Sequence, residues 1–472
     1  MSGARVIAVL DIGKTHLKLC AMTPDGQALE VVQTPNVVVA ARPWPHHDLA
    51  YLTDWLGCNL SDLARRHDLA CLVPVGHGSG GVLVGDDPDQ GGTGAVLPMI
   101  DYEAPSPPAL DACYAALCGT FQDRGSAVMM ASTHAARQML RMQMEAPDRF
   151  AHAAHYLNVA QYWAWWLSGQ AASEISAMGA QSHLWNVPEG RAAPIVAQQG
   201  WAPLIPPFRR AWEALGPIRP ALVARYGLPA ALPVLTGAHD SSVNLYRYHA
   251  AGLSGATLVS TGTWIVALSA RARLEVLDER IGMTLNADLT GAPVGGALCM
   301  GGREFAAVAG PDWGGAQADP DSLRALMARG TMALPAFGHD DGQFPGSAGQ
   351  GRILGPPPGS PAERTALALL YSALLSVTCA QALQAGGDLV LDGSYLRDPL
   401  YAPLVAALWP QGRTLISLHP DGVAAGAALL AGHVGRDGPA EIALHPAPAL
   451  PDLPGLSDYA TAWHRHAKGA LP

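Results

Sequence analysis

Four short segments of the 472-residue chain set carboxylates or hydroxyls beside glycine in patterns suited to phosphoryl chemistry. In the first, Asp11-Ile12-Gly13-Lys14-Thr15-His16-Leu17-Lys18, an apolar run ends in Asp and is followed by Gly and a hydroxyl residue. Backbone N–H groups at such a turn, with Thr15 Oγ, suit a phosphate, and Gly13 has no side chain to keep an anion away. Asp11 suits Mg²⁺ held through water, because that ion sheds its waters reluctantly. The same residues also describe an ordinary hairpin turn with a surface Asp. In Ser260-Thr261-Gly262-Thr263-Trp264, three hydroxyls and a Gly interrupt two apolar runs, as a second phosphate clamp or a self-bonded structural turn. In Gly237-Ala238-His239-Asp240, a carboxylate directly after an apolar run suits a general base that takes the proton of an attacking hydroxyl. It equally suits an N-cap for a helix from Ser241, and His239 alone reads as structural. The fourth group, Asp392-Gly393-Ser394 with Gly422 and the small residues after it, suits either close backbone approach to an adenosine or tight helix packing.

The elements that must position these residues follow from periodicity. Residues 5–10 and 17–22 read as strands of a hairpin around the first segment, and 256–269 repeats that plan about half a chain later. This predicts two related domains, 1–246 and 247–472, each presenting a hairpin tip to a common cleft. Between them, 48–67 has helical spacing, 71–75 is a strand, 85–94 is a loop, and 109–168 is mainly helical with a break at Pro147. Residues 336–361 read as irregular and 363–385 as a long helix stopped by Gly386-Gly387. Strand, helix, strand, helix follow, and the Pro-rich tail from 437 is expected to pack loosely. Alternating strands and helices give an α/β class.

Composition narrows the function. Apolar residues are 49% and charged residues 14%, which supplies large cores and excludes a solvated, disordered chain. A net charge of −10 disfavours nucleic acid and anionic membrane as partners. The seven cysteines form no CxxC pair and no zinc spacing, and read as buried free thiols. The opening apolar run is too short for a leader and reads as a first buried strand, and no run approaches the roughly 18 apolar residues of a membrane span. The expectation is a cytoplasmic enzyme.

In order along residues 5 to 435, these segments resemble the FGGY carbohydrate kinases, within the larger actin/hexokinase-like superfold. DIGKTHLK is similar to the family's first phosphate motif, GAHD to the motif carrying its catalytic Asp, STGTW to its second phosphate motif, LVLDGSYLRDPLYAPLVAALWP to its adenosine segment, and GVAAGAALLAG to its final helix. The stretch from Pro147 to Asn186 also resembles a family segment. The resemblance implies a two-domain, ribonuclease H-like ATPase fold and transfer of a phosphoryl group from MgATP to a small ketose or polyol. It implies Asp11 as the metal-linked carboxylate, and Gly13, Lys14, Thr15 and Lys18 in the first phosphate loop. Gly262 and Thr263 would form the second loop, Gly393 and Ser394 would touch adenosine, and Asp240 would be the base. His77 and Gly78 in VGHGSGG, Asp101 and Glu103 in LPMIDYE, and His239 are the implied sugar contacts. Lys14 stands where relatives carry a small residue, and Tyr102-Glu103 departs from an Asp-x-Arg ending. MGGREF at 300–305 is similar to kinases of fuculose- and rhamnulose-like sugars, which favours a 6-deoxy-ketohexose or a ketopentose. Glycerol- or erythritol-type polyols, an ATP-binding switch without a sugar, and a non-catalytic binding protein are the alternatives. A homodimer is common in the family.

Overall fold

The computed structural model describes residues 5–311, 315–450 and 452–469. The chain forms two compact units. The first runs to Leu253 and takes in Leu285–Pro293 and Asp421–Glu441, and the second comprises Ser254–Thr284, Val294–Pro420 and the chain from Ile442.

In the first unit, strands Val6–Ile12, His16–Met22 and Ala28–Pro35 form an antiparallel meander. Val6–Ile12 then pairs in parallel with Leu69–Gly76, which pairs in parallel with Pro233–Leu235, and Ala214–Pro217 closes that side antiparallel. The short strand Ala238–His239 also runs parallel to Leu69–Gly76. Both faces of the sheet are apolar because both are covered, as expected of strands flanked by helices on each side. Leu10, Leu19, Leu72 and Val234 pack with helix Leu49–Arg66 and the Trp163-Trp165-Trp166 cluster of helix Val159–Ser168. Val9, Cys20 and Val73 pack with the alanines of helix Gly422–Ala431. A third cluster around Tyr114, Met139 and Trp201 fills the lobe made largely by residues 108–204. That lobe is less purely helical than its spacing predicts. His155–Asn158 is a strand, and its pairing with Gly81–Val84 overrides the helical pattern around it.

The second unit repeats the plan. Pro293–Met300, Trp264–Ser269 and Thr257–Thr261 form an antiparallel meander; Leu389–Gly393 and Thr414–Ile416 continue it in parallel; His445–Pro446 closes it antiparallel. Six of seven strands in each sheet therefore share one order and one set of directions. Its core is organised by helix Pro361–Ala382. That helix is long and apolar enough to cross a membrane, which the run-length reading missed, but most of it is buried in this core.

The tail corrects another expectation. Residues from 456 form helix Leu456–Lys468, whose Leu456, Tyr459, Trp463 and Ala467 enter the core. Tyr459 Oη donates to the Thr331 carbonyl and Trp463 Nε1 to the Ala333 carbonyl, each at 2.6 Å. The proline-rich approach hides this 3-, 4- and 7-residue apolar spacing. Of the cysteines, Cys58 is exposed and Cys113 half-buried, and the other five are buried.

Candidate functional site

The sheet register of the first unit decides which chemistry-bearing residues meet. Ile12 and His239 both align with Gly76 on the parallel strand between them, so Asp11 and Asp240 come to the same end of the sheet. Gly237 permits the turn into this segment. Its φ is +70°, and a Cβ there would lie 1.8 Å from the Pro74 carbonyl oxygen. Helix Asp240–Ala250 begins on the next residue with His239 at its N-cap, so Asp240 stands in the first turn rather than capping it. His239 Nε2 lies 3.2 Å from Asp240 Oδ1, and its Nδ1 lies 3.0 Å from Ser242 Oγ. The His239 backbone N–H donates to Ser176 Oγ (3.2 Å), which donates to the buried Glu174 carboxylate (2.6 Å). The sequence reading assigned neither Ser176 nor Glu174 a role.

Charge is concentrated here. The Asp11 carboxyl is pushed up to about 7, first by burial and then by the charges of Asp240 and Asp421, with Lys18 opposing. Lys18 pairs with Asp11 across the hairpin, and its Nζ donates to Asp421 Oδ1 at 2.9 Å. Burial works against the Lys18 cation, but Asp421 and Asp11 outweigh it and raise its pKa. Asp421 holds the N-cap position of helix Gly422–Ala431 and was also missed: an Asp just before a small-residue helix reads as a cap, and its pairing with Lys18 leaves no local trace. Gly426 in that helix is a packing residue, since a Cβ there would lie 2.4 Å from the Val243 carbonyl oxygen.

Lys14 turns to other partners than the first loop. Its Nζ bonds the Asp101 carboxylate, lies 3.6 Å from Glu103 Oε2 and stands 5.2 Å from the Tyr102 ring centroid. Asp101 is buried, and His47 Nε2 lies 3.9 Å from it. His77 meets the edge of Tyr102 at 5.4 Å between centroids. Both ring nitrogens of His47 and of His77 are shielded from solvent without a hydrogen-bond partner among the described residues. Burial, the largest influence on each, holds both rings neutral with pKa values near 4. Gly78 ties this loop to the carboxylates, because a Cβ there would sit 2.7 Å from the Ala180 carbonyl oxygen and 3.1 Å from His239 Nε2. At the hairpin tip, Thr15 is exposed, with Oγ1 3.0 Å from His16 Nδ1, and Gly13 N–H donates to the His16 carbonyl (2.9 Å).

The second unit carries its own cluster at the matching sheet end. Thr261 aligns with Gly393, whose φ of +102° and 2.0 Å approach of a virtual Cβ to the Thr261 carbonyl oxygen admit glycine alone. Thr261 Oγ1 donates to the Asp392 carbonyl (3.0 Å) and accepts from the Tyr395 N–H (3.3 Å), and Ser394 Oγ donates to the Thr261 carbonyl (3.4 Å). Gly301 and Gly302, opening helix Gly302–Ala309, donate to the Thr263 and Gly262 carbonyls at 2.9 Å. A Cβ on Gly262 would meet nothing within 4 Å. The MGGREF motif therefore adjoins this turn. Its buried Glu304 accepts from Phe337 N–H (3.0 Å), Gly338 N–H (2.6 Å) and Tyr371 Oη (2.6 Å), a fold-bracing role.

Comparison with known proteins supplies the wider frame. The N-terminal domain pattern of the FGGY family of carbohydrate kinases matches residues 120–246, and the pattern "carbohydrate kinase FGGY, C-terminal domain" matches residues 254–439. L-Fuculokinase of Escherichia coli K12 is 24% identical over 295 residues, 60% of this chain and 61% of the relative, so the match spans less than two thirds of that protein. A carbohydrate kinase from Novosphingobium aromaticivorans superposes with a TM-score of 0.86 at 28% identity, over 99% of this chain and 100% of its own. Xylulose kinase from Rhodospirillum rubrum shares the fold at TM-score 0.77 and 19% identity, over 98% of this chain and 97% of its own. The architecture is the two-domain actin/hexokinase-like α/β fold that the FGGY resemblance implied. With both domain patterns matched in order and a solved carbohydrate kinase superposing along the whole chain, this protein belongs to the FGGY family of carbohydrate kinases.

Proposed function

We propose that the protein transfers the γ-phosphoryl group of MgATP to a hydroxyl of a small ketose, with Asp240 as general base. The observation that carries this reading is the juxtaposition of Asp240 with Asp11 at one sheet end, with His239 against the base. Asp240 stands in the first turn of a helix, where the N-terminal dipole suits an acidic side chain, and a carboxylate so placed is of the type that accepts the acceptor's proton. His239 is pushed down by burial despite the adjacent carboxylate, so it orients Asp240 as a neutral ring between that residue and Ser242.

The acceptor is read by the unpartnered donors and acceptors nearby. His77 Nδ1 and Nε2 are shielded polar atoms that a sugar hydroxyl would satisfy, and Asp101 offers carboxylate oxygens held in place by Lys14. Gly262 and Thr263 take the phosphates and Gly393 and Ser394 the adenosine. Asp11, whose charge burial and Asp240 disfavour, is the residue that would hold Mg²⁺ through water. When bound, the ion supplies neutralisation of charge on the transferred group. The chain's own residues then align acceptor and donor, which is most of what such a transfer requires.

Similarity to L-fuculokinase favours a 6-deoxy-ketohexose such as L-fuculose; the resemblance carried by MGGREF extends the reading to L-rhamnulose or a ketopentose, and with it to a role in carbohydrate catabolism in the cytoplasm. ATP-dependent phosphorylation across ketopentoses, 6-deoxy-ketohexoses, glycerol and erythritol tests this. Turnover only with a polyol would move the acceptor class, and ATP hydrolysis indifferent to every sugar would replace the kinase reading with a nucleotide switch.

A further inference from the structure

Along helix Asp240–Ala250 lies a cavity of about 300 Å³ whose lining residues all belong to the first unit. Ser242, Leu245, Tyr246 and His249 face it at three- and four-residue helical spacing; the Asp288–Thr290 loop and two residues beyond helix Gly422–Ala431, His433 and Arg436, complete it. That volume is at the lower end of small-molecule sites.

Its polar wall has unused hydrogen-bonding capacity. One Arg436 Nη donates to the Leu429 carbonyl, but Arg436 Nε is buried without a partner, and no carboxylate pairs with the guanidinium among the described residues. His249 Nε2 is likewise shielded and unpartnered. His433 is fixed by stacking on Trp212 at 3.9 Å and by its Nδ1 lying 3.0 Å from Tyr246 Oη. The one acid of the lining is already engaged: Asp288 Oδ1 accepts from Thr290 N–H (2.8 Å), Thr290 Oγ1 (2.7 Å) and Ala292 N–H (2.9 Å). Arg436 also hydrogen-bonds Tyr246, but the shielded Arg436 Nε and His249 Nε2 are left without a partner among the described residues, which is costly, and a planar or tetrahedral oxyanion is the group that satisfies an Arg fork best. Leu245, Leu289 and Ala250 supply an apolar wall for the rest of such a ligand.

We propose that this cavity is a second binding site, for a small oxyanion with a short apolar body, a phosphate monoester or a carboxylate, held by Arg436 and His249. It stands apart from the reacting groups yet adjoins them through Ser242, whose Oγ meets His239, the neighbour of Asp240.

Isothermal titration of the full chain, with the nucleotide site saturated by ADP, tests it with inorganic phosphate, glycerol 3-phosphate and propionate as probes. The expected result is one-site binding of at least one probe, weakened about tenfold or more by Arg436→Gln and unchanged by Asp240→Asn. Glycerol 3-phosphate or phosphate binding identifies a phosphorylated ligand, and propionate binding a carboxylate. If Arg436→Gln does not fold, Ala250→Leu, which fills the cavity without removing a charge, decides by the same criterion. Absence of binding by all probes up to about 10 mM, binding indifferent to the cavity variant, or binding lost in Asp240→Asn would overturn the proposal.

Discussion

The two hairpin tips share a backbone plan and differ in charge. In the first unit the tip spans Asp11 to Lys18, with Lys18 on Asp421, Lys14 on Asp101 and Asp240 acting on Asp11. In the second, the tip from Ser260 to Trp264 carries no charged residue and is tied by backbone: Gly301 and Gly302 to its carbonyls, Gly393 under Thr261. One strand order thus serves two tasks. On the proposed function, the charged tip places groups suited to moving a proton and balancing charge. The uncharged tip closes on itself, with the Gly262 N–H donating to the Trp264 carbonyl (2.9 Å), and leaves open space beside Gly262, where the proposed phosphate contact falls. The loss of function should therefore be chemical in one unit and associative in the other.

The largest contrast lies between Asp240 and Thr263. Asp240→Asn should cost about 10³- to 10⁴-fold in kcat and leave nucleotide affinity intact, whereas Thr263→Ala should cost about tenfold or less, mainly in the KM for ATP. Steady-state kinetics with nucleotide titration measures both, and equal losses in kcat would erase the distinction. Next comes a pair within the second tip. Gly262→Val adds bulk where nothing lies within 4 Å, so it should raise the KM for ATP by about 30-fold with an unchanged Tm. Gly393→Ala forces a Cβ to 2.0 Å from the Thr261 carbonyl oxygen at a φ of +102°, and should cost about 3 kcal/mol of stability or more.

How far these roles could be read from sequence follows from what each depends on. The roles proposed for Asp11, Gly13, Gly262 and Asp240 rest on a local pattern, an apolar run ending in Asp or Gly, and the repetition of that pattern half a chain later exposed the duplicated sheet. Helix Pro361–Ala382 was legible for the same reason, though burial rather than composition shows its place. Asp421 and Glu174 were not, because each matters only through a partner 403 or 65 residues away in sequence, Lys18 for the first and His239 for the second. Strand His155–Asn158 was lost to a tertiary override of helical spacing, and the tail helix to the prolines before it.

Lys14 sharpens the comparison from inside the first tip. The motif resemblance puts it on phosphate, while its bonds go to Asp101 and Glu103. If those bonds define its role, Lys14→Ala frees two carboxylates beside the acceptor site and raises the KM for the sugar about tenfold, with the KM for ATP unchanged. A rise in the KM for ATP instead would return Lys14 to the phosphate loop.

The smallest effect separates how the two units keep a buried carboxylate. Glu304 in the second unit accepts three hydrogen bonds, two backbone and one from Tyr371, and Glu304→Gln should lower Tm. Glu174 in the first has one oxygen bonded to Ser176 Oγ and the Ala177 N–H, and the other shielded with no partner. Burial raises its carboxyl from 4.5 to about 7. An acid whose folded pKa is raised loses its proton first in the unfolded chain. Stability therefore falls as pH rises from about 4.5 to 7 and stays low above, by about 3 kcal/mol at most. Glu174→Gln copies the protonated acid. It should melt with the parent protein near pH 4 and several degrees above it at pH 8, on the order of 5 °C by differential scanning calorimetry. A gap between the two proteins that does not change with pH would mean that Glu174 is ionised in place, and that its bond to Ser176 beneath His239 is that of a carboxylate.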